Sequence, residues 1–251
     1  MKFNVKAGIV LALSLLLVAG ALIYSPQFIT VSNSVNGREL PIYCVDTDQK
    51  VVGLSFDAAW GNEDTPQILA ILEKHGVHVT FFMTGGWVDD FPEDVKEILA
   101  AGHDLGNHSE NHKNMSQLSK DEKIRELMDV HEKVKKLTGY EMKLFRPPYG
   151  DYDDEVILTA KECGYETIQW SVDSLDWKDY GIDSIIQTVC EHKKLDNGAI
   201  ILMHNGATYT AQALEQVIIS LKEQGYEIVP ISELVLPEPY HMDHTGKQFA
   251  D

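Results

Sequence analysis

From residue 51 onward the chain alternates short apolar runs with longer stretches whose apolar residues recur at helical spacing, and this alternation constrains its fold more than any other feature. Strands joined through helices run parallel, because each crossover returns the chain in its original direction. Seven strands are predicted, at 51–56, 79–83, 104–107, 144–146, 167–172, 199–203 and 227–230. Helical patterns lie between them near 65–75, 92–101, 119–138, 153–163, 183–194 and 211–224, several closing at a glycine: Gly76, Gly102, Gly139, Gly164 and Gly225. With 251 residues, 44% of them apolar, the chain can bury one substantial core and nothing demands a second domain.

Seven βα units allow either an open doubly wound sheet or a closed barrel, and periodicity does not choose between them. In both, the C-terminal strand ends form the active face. Asp57, His108, Arg146 followed by Pro147-Pro148-Tyr149-Gly150, Asp173 and His204 each fall at or just past the end of a different strand. Scattered core or surface residues would not share that register.

The stretch His108-Ser109-Glu110-Asn111-His112 sets two imidazoles four residues apart. On one helical turn such positions share a face, so both can reach a single Zn²⁺-like ion. The rival reading of this pattern alone is two solvated helix histidines.

Outside the array the chain is less informative. Lys2 and Lys6 precede an apolar run over 7–24, with Ser14 its only mildly polar interruption. This reads as an uncleaved signal anchor holding residues 25–251 outside the cytoplasm, with cleavage near Ala19-Gly20-Ala21 as the alternative. Residues 25–50 read as an extended arm and 237–251 as a solvated tail carrying His241 and His244. Cys44, Cys163 and Cys190 make no CxxC pair and no disulfide framework. A net charge of −18 argues against nucleic acid as a partner.

The segments Ser55-Phe56-Asp57, His108 to His112, Arg146 to Gly150, Asp173-Ser174-Leu175-Asp176-Trp177 and Leu202-Met203-His204 resemble, in order, the five motifs of the polysaccharide deacetylases, carbohydrate esterase family 4. The resemblance covers about residues 50–235, and the bacterial sporulation-associated branch is the most similar. It implies a distorted (β/α)₇ barrel over 51–236, a divalent metal, and hydrolysis of N-acetyl groups on amino sugars of peptidoglycan or chitin-like polymers.

Amide hydrolysis needs a nucleophile stronger than water and an acid for the departing amine. The resemblance assigns the base to Asp57 and the acid to His204, with Asp173 as the partner holding His204 charged. It makes His108 and His112 metal ligands, for which nitrogen donors favour Zn²⁺ or Co²⁺ over Mg²⁺. Arg146 then orients Asp57, the N–H of Tyr149 donates to the oxyanion, and Trp177 and Leu202 line the acetyl pocket. For Trp177 and Leu202 ordinary core packing is the competing reading.

One position departs from the family pattern. Where the first motif usually has a second aspartate as metal ligand, this chain has Ala58. Glu63, Asp64, Glu110 or Asp57 itself could complete the set, and spacing does not select among them. The expected function is a membrane-anchored, metal-dependent deacetylase of cell-wall polysaccharide. The alternatives are a weakly active or non-catalytic glycan-binding module, or an O-acetyl ester hydrolase acting on xylan.

Overall fold

A curled parallel sheet frames the protein, seen in a computed structural model that describes residues 34–35 and 37–251. The expected membrane anchor, 1–24, lies outside the described residues, and among those described no helix is long and apolar enough to cross a membrane. In chain order the elements are β1 (Cys44–Val45), β2 (Val51–Ala58), α1 (Thr65–His75), β3 (Thr80–Met83), α2 (Gly85–Asp90), α3 (Pro92–Ala100), β4 (Asp104–Asn107) and α4 (Lys120–Thr138). They continue with β5 (Leu144–Phe145), α5 (Asp154–Glu162), β6 (Glu166–Thr167), β7 (Val172–Asp173), α6 (Ile182–Cys190), β8 (Ile200–His204), α7 (Thr210–Glu223), β9 (Glu227–Val229), α8 (Ile231–Leu234), β10 (Tyr240–Met242) and β11 (Lys247–Ala250).

The parallel strands lie in the order β6-β5-β4-β3-β2-β8-β7, with β9 paired to the first residues of β2. The sheet curls into a half-barrel, which resolves the choice that periodicity left open in favour of the distorted barrel. Side-chain alternation divides the core in two. Phe81, Phe145 and Ile201 face the outer helices, packing with Ile68, Leu72, Leu127, Val130, Leu214 and Val217. Their strand neighbours Phe82, Leu144 and Ile200 join a second cluster with Ile42, Ile168, Ile231 and Tyr240.

The helices start and stop where their local chemistry dictates. Ser119 and Glu122 form a reciprocal capping box at the start of α4, and Gly139 ends it with φ 78°. Asp153 caps α5 by accepting from the N–H of Val156 at 2.9 Å. The six-residue α2 was not anticipated: two glycines and too few residues conceal any periodicity, and the hydroxyl of Thr84 nucleates it by accepting from the N–H of Trp87.

Two further expectations are corrected. The strand expected at 167–172 is interrupted, because Ile168 and Gln169 pair with the arm instead: Ile42 N–H donates to Thr167 O and Gln169 N–H to Ile42 O. The expected tail is ordered structure. β10 and β11 pair antiparallel, β11 pairs with β1, and Tyr240 and Met242 are buried with Ile42 and Val45. His241 and His244 are exposed, as expected, but on this sheet rather than on a free tail. All three cysteines are unpaired.

The interior leaves little slack where it supports the active face. A Cβ placed on Gly106 of β4 would lie 2.4 Å from the ring of Phe82, which is fully buried. Gly106→Ala should therefore destabilise the fold by about 1–3 kcal/mol, the usual consequence of overpacking, read as a fall in Tm. An unchanged Tm would show that Phe82 has room to move.

Candidate active site

β2 and β8 are adjacent, and their register makes Asp57 and His204 direct neighbours at the C-terminal rim. Asp57 is buried, and Nη1 of Arg146 donates to its Oδ1 at 2.7 Å. Burial pushes this carboxyl up, but the Arg146 charge, followed by those of His108 and His204, outweighs burial and leaves it below its ordinary value. Arg146 is fully buried just past β5, its guanidinium carbon 4.1 Å from the centroid of the Phe82 ring.

The two histidines do not share a helical turn. Residues 108–112 form a loop in which Ser109 and His112 take left-handed backbone at φ 66° and 53°. The rings still meet, centroids 4.9 Å apart and planes inclined at 66°. Local bonds fix this loop: Asn107 Oδ1 accepts from the N–H of Ser109 at 2.9 Å, and Ser109 Oγ accepts from the N–H of His112 at 3.0 Å. From α4, the Glu126 carboxylate accepts from both the N–H and the side-chain amide of Asn111, at 2.7 and 2.9 Å. Spacing could have flagged Glu126 only as a buried acid on an amphipathic helix.

Nδ1 of His108 donates to the carbonyl of Arg146 at 2.7 Å, which fixes the tautomer and leaves the Nε2 lone pair facing the cleft. Burial lowers the His108 pKa to about 4, despite the Asp57 charge, so the ring is neutral at neutral pH. His112 is lowered for the same first reason.

His204 is held by Asp176, not by Asp173 as the sequence suggested. Nδ1 of His204 donates to Asp176 Oδ1 at 2.7 Å, and the N–H of His204 to Oδ2 at 2.7 Å. The hydroxyl of Thr210 and the N–H of Trp177 complete the shell of this fully buried carboxylate. Asp173 caps its own turn, Oδ1 accepting from the N–H of Leu175 at 2.9 Å, and lines the cleft. The chain reverses at Leu175, φ 55°, and that reversal directs Asp176 at the imidazole. Burial alone would lower the His204 pKa; the bond and charge of Asp176, then Asp57 and Asp173, raise it above 6.5.

The cleft brings together Asp57, His108, His112, Tyr149, Asp173, Trp177, Leu202 and His204, with Arg146 behind Asp57. Tyr149 sits in a tight turn at φ 59°, whose bonds run from Gly150 N–H to Pro147 O and from Asp151 N–H to Pro148 O. Leu202 is buried at the floor, whereas Trp177 is half exposed at the mouth, a position that core packing does not explain. Trp60, unmarked in the sequence, also lines the cleft, its ring 5.1 Å from that of His204.

Among the described residues no three His, Cys, Asp or Glu side chains are grouped to hold a metal ion. Ala58 is fully buried among apolar residues. Glu110 is ion-paired with Lys133, and Asp64 accepts from the N–H of Gly206 at 2.9 Å. Asp57 is the carboxylate at the imidazoles, its Oδ2 3.5 Å from Nε2 of His108. With His108 neutral, two lone-pair-bearing atoms face each other with no proton between them, an arrangement that a cation relieves. Ligands ~2.1 Å from one tetrahedral ion stand about 3.4 Å apart, and Oδ2 of Asp57 and Nε2 of His108 stand at about that separation.

Residues 45–168 match the Polysaccharide deacetylase family. The chain is 36% identical to the peptidoglycan-N-acetylmuramic acid deacetylase PdaA of Bacillus subtilis, over 81% of this chain and 78% of that one. It is 37% identical to a peptidoglycan-N-acetylglucosamine deacetylase of Bacillus cereus, over 76% of this chain and 91% of the other. Among solved structures, a CE4 family pseudoenzyme from Bacillus anthracis superposes with TM-score 0.74 at 42% identity, covering 77% of this chain and 68% of that chain. A mutant of that pseudoenzyme has restored enzymatic activity.

Because the His204 pKa is raised on folding, its pairing with Asp176 stabilises the protein fully below the unfolded titration near 6.5, and that stabilisation is lost as pH rises through the folded value. Asp176→Asn should move the imidazole titration downward and flatten this pH dependence, read by proton NMR of the ring and by Tm across pH. An unmoved titration would mean that another group holds the proton.

Proposed function

The chain belongs to the polysaccharide deacetylase family, and we propose that it removes N-acetyl groups from amino sugars of a cell-wall polymer, peptidoglycan in preference to chitin-like chains. One observation carries this reading: adjacent strands present a carboxyl held below its ordinary pKa beside an imidazole held above its own. Environments that push two titrations apart assign the base and the acid. The reading also puts residues 25–251 on the outer side of the membrane, where such polymers lie.

Asp57 takes the proton of the attacking water. A depressed pKa makes it a weak base, so the water must itself be acidified. A Zn²⁺- or Co²⁺-like ion held by His108 and His112, with Oδ2 of Asp57 beside them, would polarise the acetyl carbonyl and lower the pKa of the water. Arg146 keeps Oδ1 of Asp57 fixed, so that Oδ2 faces the reacting centre. The N–H of Tyr149 donates to the developing oxyanion, and Leu202 with Trp177 receives the methyl group. With Nδ1 committed to Asp176, His204 delivers its Nε2 proton to the amide nitrogen, which then leaves as an amine.

A second reading rests on Ala58. Without a second aspartate, one oxygen of Asp57 must serve both as ligand and as base, and the two tasks compete. That competition favours slow turnover, or glycan binding with little turnover, and the pseudoenzyme with similar sequence gives the possibility a precedent. Acetate release from peptidoglycan, chitooligosaccharide and acetylated xylan, with and without chelator, separates the readings. Chelator-sensitive release from an amino-sugar polymer supports deacetylation; binding with no release from any substrate overturns it, and release from xylan alone overturns the amino-sugar assignment.

Asp57→Asn and His204→Ala should each lower deacetylation by about 10²-fold or more, within the ~10²–10⁴-fold that positioned acids and bases contribute. Their combined effect should fall well short of the product, since both act on one intermediate. Fully multiplicative losses would place them in separate steps.

Ala58→Asp should tighten metal binding by calorimetry. It should also lower the metal-free Tm while enlarging the gain in Tm on adding metal, because an unpaired carboxylate would replace a buried methyl. Equal affinities in both forms would mean that the third ligand is already supplied.

A further inference from the structure

Trp60 lies in the loop after β2, 47% exposed, in a chain that buries most of its large apolar side chains. Three of the exposed aromatic residues, Trp60, Tyr149 and Trp177, line the cleft. Exposed apolar surface gathered at one mouth marks a face that a ligand covers. The backbone that carries the indole is also held in place. The side-chain N–H of Trp87 donates to the carbonyl of Gly61 at 3.2 Å, and Gly206 packs so closely that a Cβ there would lie 3.2 Å from that carbonyl and 3.3 Å from Cβ of Trp60. An aromatic side chain projecting from a held backbone offers contact with less ordering cost.

Proton delivery fixes what this face meets. The amide nitrogen must come within ~3 Å of Nε2 of His204, so the sugar carbon bonded to that nitrogen stands beside the same ring. Asp176 occupies the Nδ1 side of His204, and Trp60 stands against the ring at 5.1 Å with planes inclined at 36°. A pyranose presenting its amide to His204 therefore lays a ring face toward the indole, where polarised C–H groups meet the negative face of the π-system. Thr208 and Asp179 line the same cleft with groups suited to sugar hydroxyls.

We propose that Trp60 is the stacking platform for the sugar whose acetyl group is removed, and hence a residue that selects pyranose substrates over small acetyl compounds. The inference rests on the deacetylase reading. Its test compares wild type, Trp60→Phe and Trp60→Ala, all metal-loaded and checked for folding by Tm. The readouts are acetate release from chitotetraose and from a ringless ester such as vinyl acetate, together with chitotetraose affinity by calorimetry.

Trp60→Ala should lower the ratio of glycan to ester kcat/KM by about tenfold or more and weaken chitotetraose binding by a similar factor, as loss of a buried aromatic anchor does. Trp60→Phe should recover most of both. An unchanged ratio with a shifted alkaline limb in the pH profile would show that the indole only walls His204, and would overturn the proposal, as would unaltered affinity in Trp60→Ala. If none of the three forms releases acetate while chitotetraose binding still depends on Trp60, the indole is a sugar platform, but the deacetylase reading and the assignment of that sugar as the deacetylated one both fall.

Discussion

The buried ion pair between Arg146 and Asp57 is the contact on which the rest of the rim depends. A fully buried guanidinium loses its hydration, and removing one partner of such a pair typically costs about 3–5 kcal/mol because the other charge is left uncompensated. The surroundings answer that cost in several ways. Phe82 lays its ring beneath the guanidinium, and Gly106 keeps the space in which that ring fits. Arg146 also places its backbone: its N–H donates to Asn107 O at 2.9 Å, and its carbonyl accepts from Nδ1 of His108. A single residue thus fixes the ionisation of Asp57, the tautomer of one imidazole and the junction of β4 with β5.

The second dyad, Asp176 with His204, inverts the arrangement. In the first a buried cation serves a carboxylate; in the second a buried carboxylate serves an imidazole. The Asp176 carboxylate accepts from the N–H of Trp177, from the N–H and Nδ1 of His204 and from the hydroxyl of Thr210, so its orientation is fixed. Because β2 and β8 are adjacent in parallel register, Asp57 and His204 open onto the same cleft, and the segments after β5 and β7 bring Arg146 and Asp176 to them.

Much of this frame is legible in sequence because hydrophobic period and strand-end register are local properties. The helix at 65–75 and the strand at 104–107 were read at their structural limits, and Asp57, Arg146 and His204 were found by where they fall in the repeat. What escaped depends on backbone signs and long-range pairing. The positive φ of Leu175 decides that Asp176, not Asp173, faces His204, and the positive φ of Ser109 and His112 makes the histidine pair a loop rather than a helical turn. No side-chain pattern announces a left-handed leucine or histidine, since most sequences place glycine or asparagine there. The extended arm is legible, but its pairing and the C-terminal hairpin are not, because each closes the base of the half-barrel only in company with the other.

That histidine loop bears on the consequence of Ala58. Its strained residues are held by Asn107, Ser109 and Glu126, and Glu110 is tethered to Lys133 of α4. These bonds fix the backbone from which both imidazoles project. On the proposed reading, a side chain at position 58 that does not bind the ion leaves this loop in place, because its supports come from β4 and α4 rather than from β2. On the proposed reading, glycan recognition by the rim and hydrolysis at its centre are separable, and Asp57 is where they rejoin: its Arg146-bound oxygen belongs to the scaffold and its other oxygen faces His108.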